Sequence, residues 1–158
     1  MSKIDASSAC TGVTNEQLNA LKTNNLPSGR ARRKLIASIG GGLGGNVACG
    51  TLPSDWGTKL GNALVAGAKA NGYDGVDFDL EHRTGPYYKC AKLFTDAYKV
   101  VHNAGLLITM APQQVNVYNG VTATTVAAGS NELAELIANN IDIIDMVMPQ
   151  FYNSNPGK

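Results

Sequence analysis

The chain has 158 residues, 44% hydrophobic and 16% charged, a composition typical of one globular domain over residues 1–158. Thirteen basic and twelve acidic residues leave a formal net charge of +1, which gives no support for nucleic acid or an anionic membrane as the main partner. The apolar runs are too short to span a membrane, and the first residues show no signal-peptide pattern. Four basic residues cluster before the first apolar run and predict a solvated turn: Arg30, Arg32, Arg33 and Lys34.

Short aliphatic segments alternate with longer segments of helical spacing along the chain. The strand-like segments are KLIASI (34–39), DGVDFDL (74–80), LLITM (106–110) and IDIIDMVM (141–148). The helical segments cover 15–21, 55–70, 88–103 and 131–139. Expected N-caps are Thr14, Ser54 and Ser130, and Gly72 and Gly105 are expected stop signals. The alternation predicts neighbouring parallel strands in sequence order, with the helices on one side.

The spacing of the strands limits the fold further. One strand and helix together take about 36 residues, so a closed eight-stranded barrel would need about 290 residues. The chain of 158 residues is roughly half that length. The predicted fold class is therefore α/β, either a small open sheet or a partial (β/α)8 TIM barrel of about four to five parallel βα units.

The second strand-like segment, DGVDFDL (74–80), and the residue after it carry the strongest chemical signal. In a strand, Asp77, Asp79 and Glu81 line one face, with successive carboxylates about 6 to 7 Å apart, while apolar residues cover the other face. Like charges this close raise one another's pKa and titrate as a coupled set. Such a set can keep one carboxylic acid protonated near neutral pH as a proton donor, and we expect Asp77 and Asp79 to raise the pKa of Glu81.

The sequence predicts neither a metal nor a cofactor. Gly40, Gly42 and Gly45 match G-x-G-x-x-G, but a loop with Pro53 follows where the nucleotide-binding reading needs a helix. The three cysteines are far apart and leave unpaired thiols or one bridge with a spare thiol as alternatives. The acidic strand could hold magnesium or calcium, but the other strand ends supply no further acids; they carry Ser38, Gln113, Gln150 and Tyr152.

The octapeptide from Asp74 to Glu81 resembles the D-x-x-D-x-D-x-E signature of glycoside hydrolase family 18, the chitinases and endo-β-N-acetylglucosaminidases. Three other segments agree with this family in order. They are Ser38-Ile39-Gly40-Gly41, Met110-Ala111-Pro112-Gln113 and Met148-Pro149-Gln150-Phe151-Tyr152-Asn153, the last in the Q-F-Y-N form of the plant and fungal type chitinases. The resemblance implies a TIM barrel, extracellular location and chitin or a chitooligosaccharide as substrate.

The resemblance also implies roles for individual residues. Glu81 would protonate the glycosidic oxygen, while the substrate's own acetamido carbonyl attacks the anomeric carbon. Asp79 would orient the acetamide, with Asp77 behind it to share a proton, and Tyr152 would donate its hydroxyl to the acetamido oxygen. The implied sugar-contacting residues are Gln150, Asn153, Met148, Ser38 and Gly41.

The chain departs from the family in length, because the last two barrel strands would follow residue 158. An open arc of strands exposes two edges, so self-association or poor solubility is expected. Two alternatives therefore stay open beside a chitinase: a non-catalytic chitin-binding or chitinase-like protein or inactive fragment, and an unrelated metal-dependent α/β protein. Endo or exo action is also left open.

Overall fold

A computed structural model describes residues 14–24, 26–41, 52–80, 91–112 and 132–150. The elements are α1 Asn15–Thr23, β1 Ile36–Gly40, α2 Trp56–Ala70, β2 Gly75–Asp79, α3 Ala91–Asn103, β3 Leu107–Met110, α4 Glu132–Ala138 and β4 Met146–Val147. Within these residues the four strands form one sheet in the order β1-β2-β3-β4, and every neighbouring pair is parallel. The predicted strand order and direction are therefore confirmed.

One face of the sheet is covered by helices. Val76 and Phe78 of β2 pair in register with Ile108 and Met110 of β3, and all four side chains are at most 1% exposed. They share a core with Leu60 and Leu64 of α2, with Phe94 and Tyr98 of α3, and with Leu136 of α4. Because the strand order never reverses and these helices share one face, the fold is singly wound, as in a partial α/β barrel.

Close contact between α2 and α3 depends on two glycines of α2. A Cβ atom added to Gly57 would overlap the carbonyl oxygen of Leu93 on α3. One turn later, a Cβ atom on Gly61 would lie 2.6 Å from the Cβ of Val100. The two helices therefore approach at distances that only glycine permits, which lets both cover the same narrow sheet.

The helix boundaries agree with most of the expected signals. Thr14 caps α1 through a capping box, since its hydroxyl accepts from the Gln17 amide at 3.2 Å and the Gln17 side chain accepts from the Thr14 amide at 2.8 Å. Gly72 and Gly105 have φ angles of 68° and 75° after α2 and α3, as stop signals should.

Two expectations about caps need comment. The expected cap Ser54 is wrong: the turn closed by the Trp56 amide on the Pro53 carbonyl delays α2, and Asp55 takes the cap position. The Asp55 side chain makes no capping hydrogen bond and instead pairs with Lys59 at 2.8 Å. Ser130 lies outside the described residues.

The last strand is much shorter than the predicted 141–148 segment. The buried Asn140 side chain donates to the Leu136 carbonyl oxygen at 2.7 Å and to the Thr95 hydroxyl at 3.1 Å. The backbone carbonyl oxygen of Asn140 accepts from the Ile143 and Ile144 amides, which makes a tight turn after α4. Residues 141–143 form that turn, so strand pairing with β3 begins only at Met146.

The other face of the sheet is partly open. Met146 pairs in register with Thr109, and Met148 lies two residues further on the same side. These side chains are 55% and 44% exposed, unusual values for large apolar residues on a parallel strand. In the described parts of the chain no helix has the length and apolar character needed to cross a membrane.

Candidate active site

The register of three strands places one carboxylate between two hydroxyl groups. Ser38 of β1, Asp77 of β2 and Thr109 of β3 occupy paired positions, so their side chains share the face away from the helices. The Ser38 hydroxyl donates to Oδ2 of Asp77 and the Thr109 hydroxyl donates to Oδ1, each at 2.7 Å. Asp77 is only 8% exposed, and both of its oxygens accept from neutral donors.

Thr109 is a site residue that the motifs did not identify. It is 6% exposed and stands in the aliphatic segment LLITM, which reads as a fully buried strand. Thr109 is the one polar residue in this segment, and alternation along the strand puts it on the opposite face from its apolar neighbours. Pairing with β2 shows that this face is the one that carries Asp77. Only the register between β2 and β3 makes that signal usable.

The glycines after β1 bring that strand close to Asp79. Gly40 has a φ of 107°, and a Cβ atom there would overlap the carbonyl oxygen of Asp79. Gly41 has a φ of 86° and donates its amide to the same carbonyl oxygen at 2.8 Å. A Cβ atom on Gly41 would meet the Asp79 carboxylate at 3.4 Å. These two glycines therefore fix the backbone of Asp79 and leave space beside its carboxylate.

Gln150 reaches Asp79 from the segment after β4. Its backbone amide donates to the Pro112 carbonyl oxygen at 2.9 Å, which fastens it to the end of β3. Its side-chain nitrogen donates to Oδ1 of Asp79 at 2.7 Å and to the Ala111 carbonyl oxygen at 2.8 Å. Ser38, Gly41, Asp77, Asp79 and Gln150 thus lie together at the carboxyl ends of the strands, where barrel enzymes place their active sites.

Comparison with solved structures finds this same arrangement of elements in chitinases. A GH18 chitinase from Pseudoalteromonas aurantia is 25% identical over 78% of this chain, with a TM-score of 0.62. A structure named as a chitinase A from Streptomyces coelicolor is 26% identical over 77% of this chain, with a TM-score of 0.56. The resemblance to glycoside hydrolase family 18 is confirmed. No protein-family model matches the sequence, and no curated protein matches it.

The chain spans less than half of either family 18 structure. It covers 45% of the Pseudoalteromonas chain and 37% of the Streptomyces chain. The described strands and helices therefore correspond to part of a chitinase barrel. Of the two folds that the strand spacing left open, the partial barrel is confirmed.

Several residues implied by the family 18 motifs are not placed. Glu81, Tyr152 and Asn153 lie outside the described residues, so their roles stay predictions. Met148 is on the face that carries Asp77 and donates its amide to the Met110 carbonyl oxygen at 2.7 Å. Its side chain is exposed, and its predicted contact with a sugar stays a prediction.

The first acid of the family 18 signature has a different environment at the opposite end of β2. The Asp74 side chain is 8% exposed and accepts from both terminal nitrogens of Arg32, at 2.6 and 3.1 Å. The Leu35 amide donates to it at 3.0 Å, and the ammonium groups of Lys22 and Lys34 lie at 3.7 and 3.6 Å. Burial raises the Asp74 pKa, but the Arg32 and Leu35 hydrogen bonds and the Lys22 charge outweigh burial, so this pKa is lowered.

The basic run before β1 is exposed, as the sequence predicted, but several of its side chains also have protein partners. Arg32 and Lys34 face Asp74, and Arg33 donates to the carbonyl oxygens of Leu21 and Asn24 at the end of α1, at 3.1 and 2.6 Å. These partners could not be predicted from the run itself, because the carboxylate lies 42 residues away in sequence from Arg32. Cations at the end of α1 also suit the negative end of the helix dipole.

The remaining titratable group near the site is Tyr98 of α3. Its ring packs on Phe78 with centroids 4.4 Å apart, and its hydroxyl finds no hydrogen-bond partner among the described residues. Burial, and secondarily the charge of Asp77, raise the Tyr98 pKa far above its ordinary value. Within the same residues, no three His, Cys, Asp or Glu side chains come together as metal ligands would.

Proposed function

We propose that the chain is the acid-bearing part of a chitinase that hydrolyses β-1,4-linked N-acetylglucosamine polymers by substrate-assisted, retaining catalysis. The observation that carries the proposal is the pair Asp77 and Asp79, held by neutral donors at the carboxyl ends of parallel strands. Similarity to two family 18 chitinases supports the same assignment. Chitin or a chitooligosaccharide is the proposed ligand, and extracellular location follows from the family resemblance.

Glu81 is the proposed general acid. The alternation along β2 predicts that Glu81 shares the face of Asp77 and Asp79. Its proton passes to the glycosidic oxygen as the bond to the anomeric carbon breaks, and the acetamido carbonyl oxygen forms a new bond to that carbon. Glu81, now ionised, removes a proton from water as the water oxygen attacks the anomeric carbon and opens the oxazolinium ring. Two displacements at one carbon give retention.

Asp79 and Asp77 have electrostatic roles in this proposal. The Asp79 carboxylate orients the acetamide and stabilises the positive charge of the oxazolinium ring. Asp77 accepts from the hydroxyls of Ser38 and Thr109. It lies two residues before Asp79 on the same face of β2 and shares a proton with it. Tyr152 donates its hydroxyl to the acetamido oxygen, and Asn153, Met148 and Gly41 complete the proposed sugar site.

Hydrolysis of a fluorogenic chitooligosaccharide tests the proposal. We expect weak turnover by the parent chain, loss of turnover in Glu81→Gln, and parental turnover in Glu135→Gln, which changes an exposed acid on α4. Circular dichroism melts confirm that each variant is folded. Turnover that survives in Glu81→Gln contradicts the role of Glu81, and turnover lost on adding a chelator indicates a metal-dependent protein instead.

A second candidate is a chitin-binding protein or fragment without catalytic activity. The observation that favours it is the short span of the chain, under half of either family 18 structure, together with the exposure of Met146 and Met148 on the site face. Retention on chitin beads without hydrolysis would support this candidate. The same exposed face is the proposed surface for self-association, and sedimentation velocity would detect it as a concentration-dependent oligomer.

A further inference from the structure

The orientation of the Gln150 side chain is fixed by its surroundings. A backbone carbonyl oxygen only accepts hydrogen bonds, so the amide atom 2.8 Å from the Ala111 oxygen must be the nitrogen. That same nitrogen lies 2.7 Å from Oδ1 of Asp79. The two hydrogens of the amide are therefore both directed at protein acceptors, and neither points to a ligand.

Gln150 connects elements that are distant in sequence. It follows β4, is fastened by its backbone amide to Pro112 at the end of β3, and reaches past β3 to Asp79 on β2. On the other side of Asp79, the Gly41 amide holds the Asp79 carbonyl oxygen at 2.8 Å. Asp79 is thus held from both flanks, its backbone from β1 and its carboxylate from Gln150.

A neutral amide donor affects a carboxylate in a particular way. A hydrogen bond to the ionised form favours ionisation and lowers the pKa of the acid. Unlike an arginine or lysine, the amide does not cancel the negative charge. The hydrogen bond from Gln150 therefore favours the ionised form of Asp79 without itself cancelling the negative charge.

We propose that Gln150 is a positioning residue that acts through Asp79, holding its carboxylate ionised and in one orientation, and not a donor to the sugar. The catalytic meaning of this assignment rests on the proposed chitinase function. The coupling between Gln150 and Asp79 does not, because it is a property of the two side chains in the protein without substrate.

Titration of Asp79 by NMR of the carboxyl-13C-labelled chain tests the coupling directly. In Gln150→Met, which keeps the length of the side chain and removes the donor, the Asp79 midpoint should rise by about one pH unit. Met146→Leu is the matched control, since it changes a neighbouring residue on the same face that donates no side-chain hydrogen bond, and it should leave the midpoint unchanged. An unchanged midpoint in Gln150→Met overturns the proposal.

A second variant keeps the test decisive if Gln150→Met fails to fold. Gln150→Glu has the shape of the native side chain and places a like charge beside Asp79, so the upper step of the coupled titration should rise further than in Gln150→Met. A parental Asp79 midpoint in folded Gln150→Glu overturns the proposal equally.

Kinetics separate the positioning role from direct sugar binding. If the parent chain hydrolyses chitooligosaccharides, Gln150→Met should lower kcat about tenfold with little change in KM, and should move the acidic limb of the pH profile upward with the Asp79 midpoint. A raised KM with parental kcat would assign Gln150 to the sugar and overturn the proposal. If the parent shows no hydrolysis, the proposed function fails while the titration still decides the role of Gln150.

Discussion

The two ends of β2 hold their carboxylates in opposite ways. At the amino end, Asp74 accepts a bidentate hydrogen bond from Arg32 and lies near the ammonium groups of Lys22 and Lys34. At the carboxyl end, Asp77 accepts from two hydroxyls, and Asp79 accepts from an amide. Only residues 75 and 76 lie between Asp74 and Asp77, yet the described donors to these two carboxylates differ mainly in whether they carry charge.

The difference between the donors suggests a structural role for the amino end of β2 and a chemical role for its carboxyl end. Cations around Asp74 neutralise its charge and tie α1 and the segment before β1 to the sheet, which suits a permanent structural contact. The Thr109 hydroxyl and the Gln150 amide orient the carboxylates of Asp77 and Asp79, and these two donors do not cancel the negative charge. We infer that the carboxyl end is arranged for proton transfer and charge stabilisation, in agreement with the active-site edge of an α/β barrel.

The largest expected effect comes from removing the charge at the amino end. Asp74→Asn removes the charge that accepts from Arg32 and from the Leu35 amide, and should lower the free energy of unfolding by about 2 kcal/mol. The cost is limited because Arg32 and Lys34 are 47% and 59% exposed and stay solvated without the carboxylate. The change should appear as a lower urea midpoint with an unchanged m value. Asp142→Asn, an exposed acid before β4, is the control and should unfold like the parent.

A smaller effect is expected from the neutral donors at the carboxyl end. Thr109→Val keeps the side-chain shape, removes one donor from buried Asp77, and should cost about 1.5 kcal/mol. Ser38→Ala should cost less than about 1 kcal/mol, since Ser38 is exposed and water can replace its hydroxyl. Thermal melts of both variants rank the two donors, and a larger loss in Ser38→Ala would contradict the burial argument.

The two ends should also differ in their response to acid. The folded pKa of Asp74 is below its ordinary value of 3.8, so its ionisation stabilises the fold above that value, and this contribution is lost as pH falls through 3.8 toward the folded pKa. Urea midpoints between pH 7 and pH 3 should therefore fall less in Asp74→Asn than in the parent. Parallel pH dependences in the two proteins would contradict the assigned role of Asp74.

The smallest effect concerns the aromatic contact behind the carboxyl end. The Tyr98 hydroxyl is buried without a hydrogen-bond partner among the described residues, so Tyr98→Phe removes a desolvated polar group and keeps the ring on Phe78. We expect a free energy of unfolding within about 0.5 kcal/mol of the parent, or slightly higher. A substantial loss in calorimetry would show that the hydroxyl has a partner.

Local sequence signals predicted most of the fold. Aliphatic runs and helical spacing identified four parallel strands in order, because each signal depends on residues within one element. The aliphatic pattern was misleading for 141–145, where IDIID resembles a strand segment but does not form one. The Asn140 side chain donates to Thr95 and Leu136 and holds the start of a turn there. One of the hydrogen bonds that hold Asn140 in this turn goes to Thr95, 45 residues away in sequence, and no local pattern contains it.

The candidate site was predicted less completely. The D-x-x-D-x-D-x-E resemblance pointed to Asp77 and Asp79, and their shared face follows from strand alternation. Thr109 and the contact of Gln150 with Asp79 could not be predicted, because both depend on register and on the path of the chain after β4. The partners of Asp74 were missed for the same reason, since a basic run alone does not identify its carboxylate.

The most direct test of the division between the two ends compares Asp77→Asn with Asp74→Asn in the fluorogenic chitooligosaccharide assay, at a temperature where both variants are folded. We predict that Asp77→Asn loses the turnover of the parent while unfolding within about 1 kcal/mol of it, and that Asp74→Asn keeps turnover while losing stability. Parental turnover in folded Asp77→Asn, or loss of turnover in folded Asp74→Asn, would contradict the account.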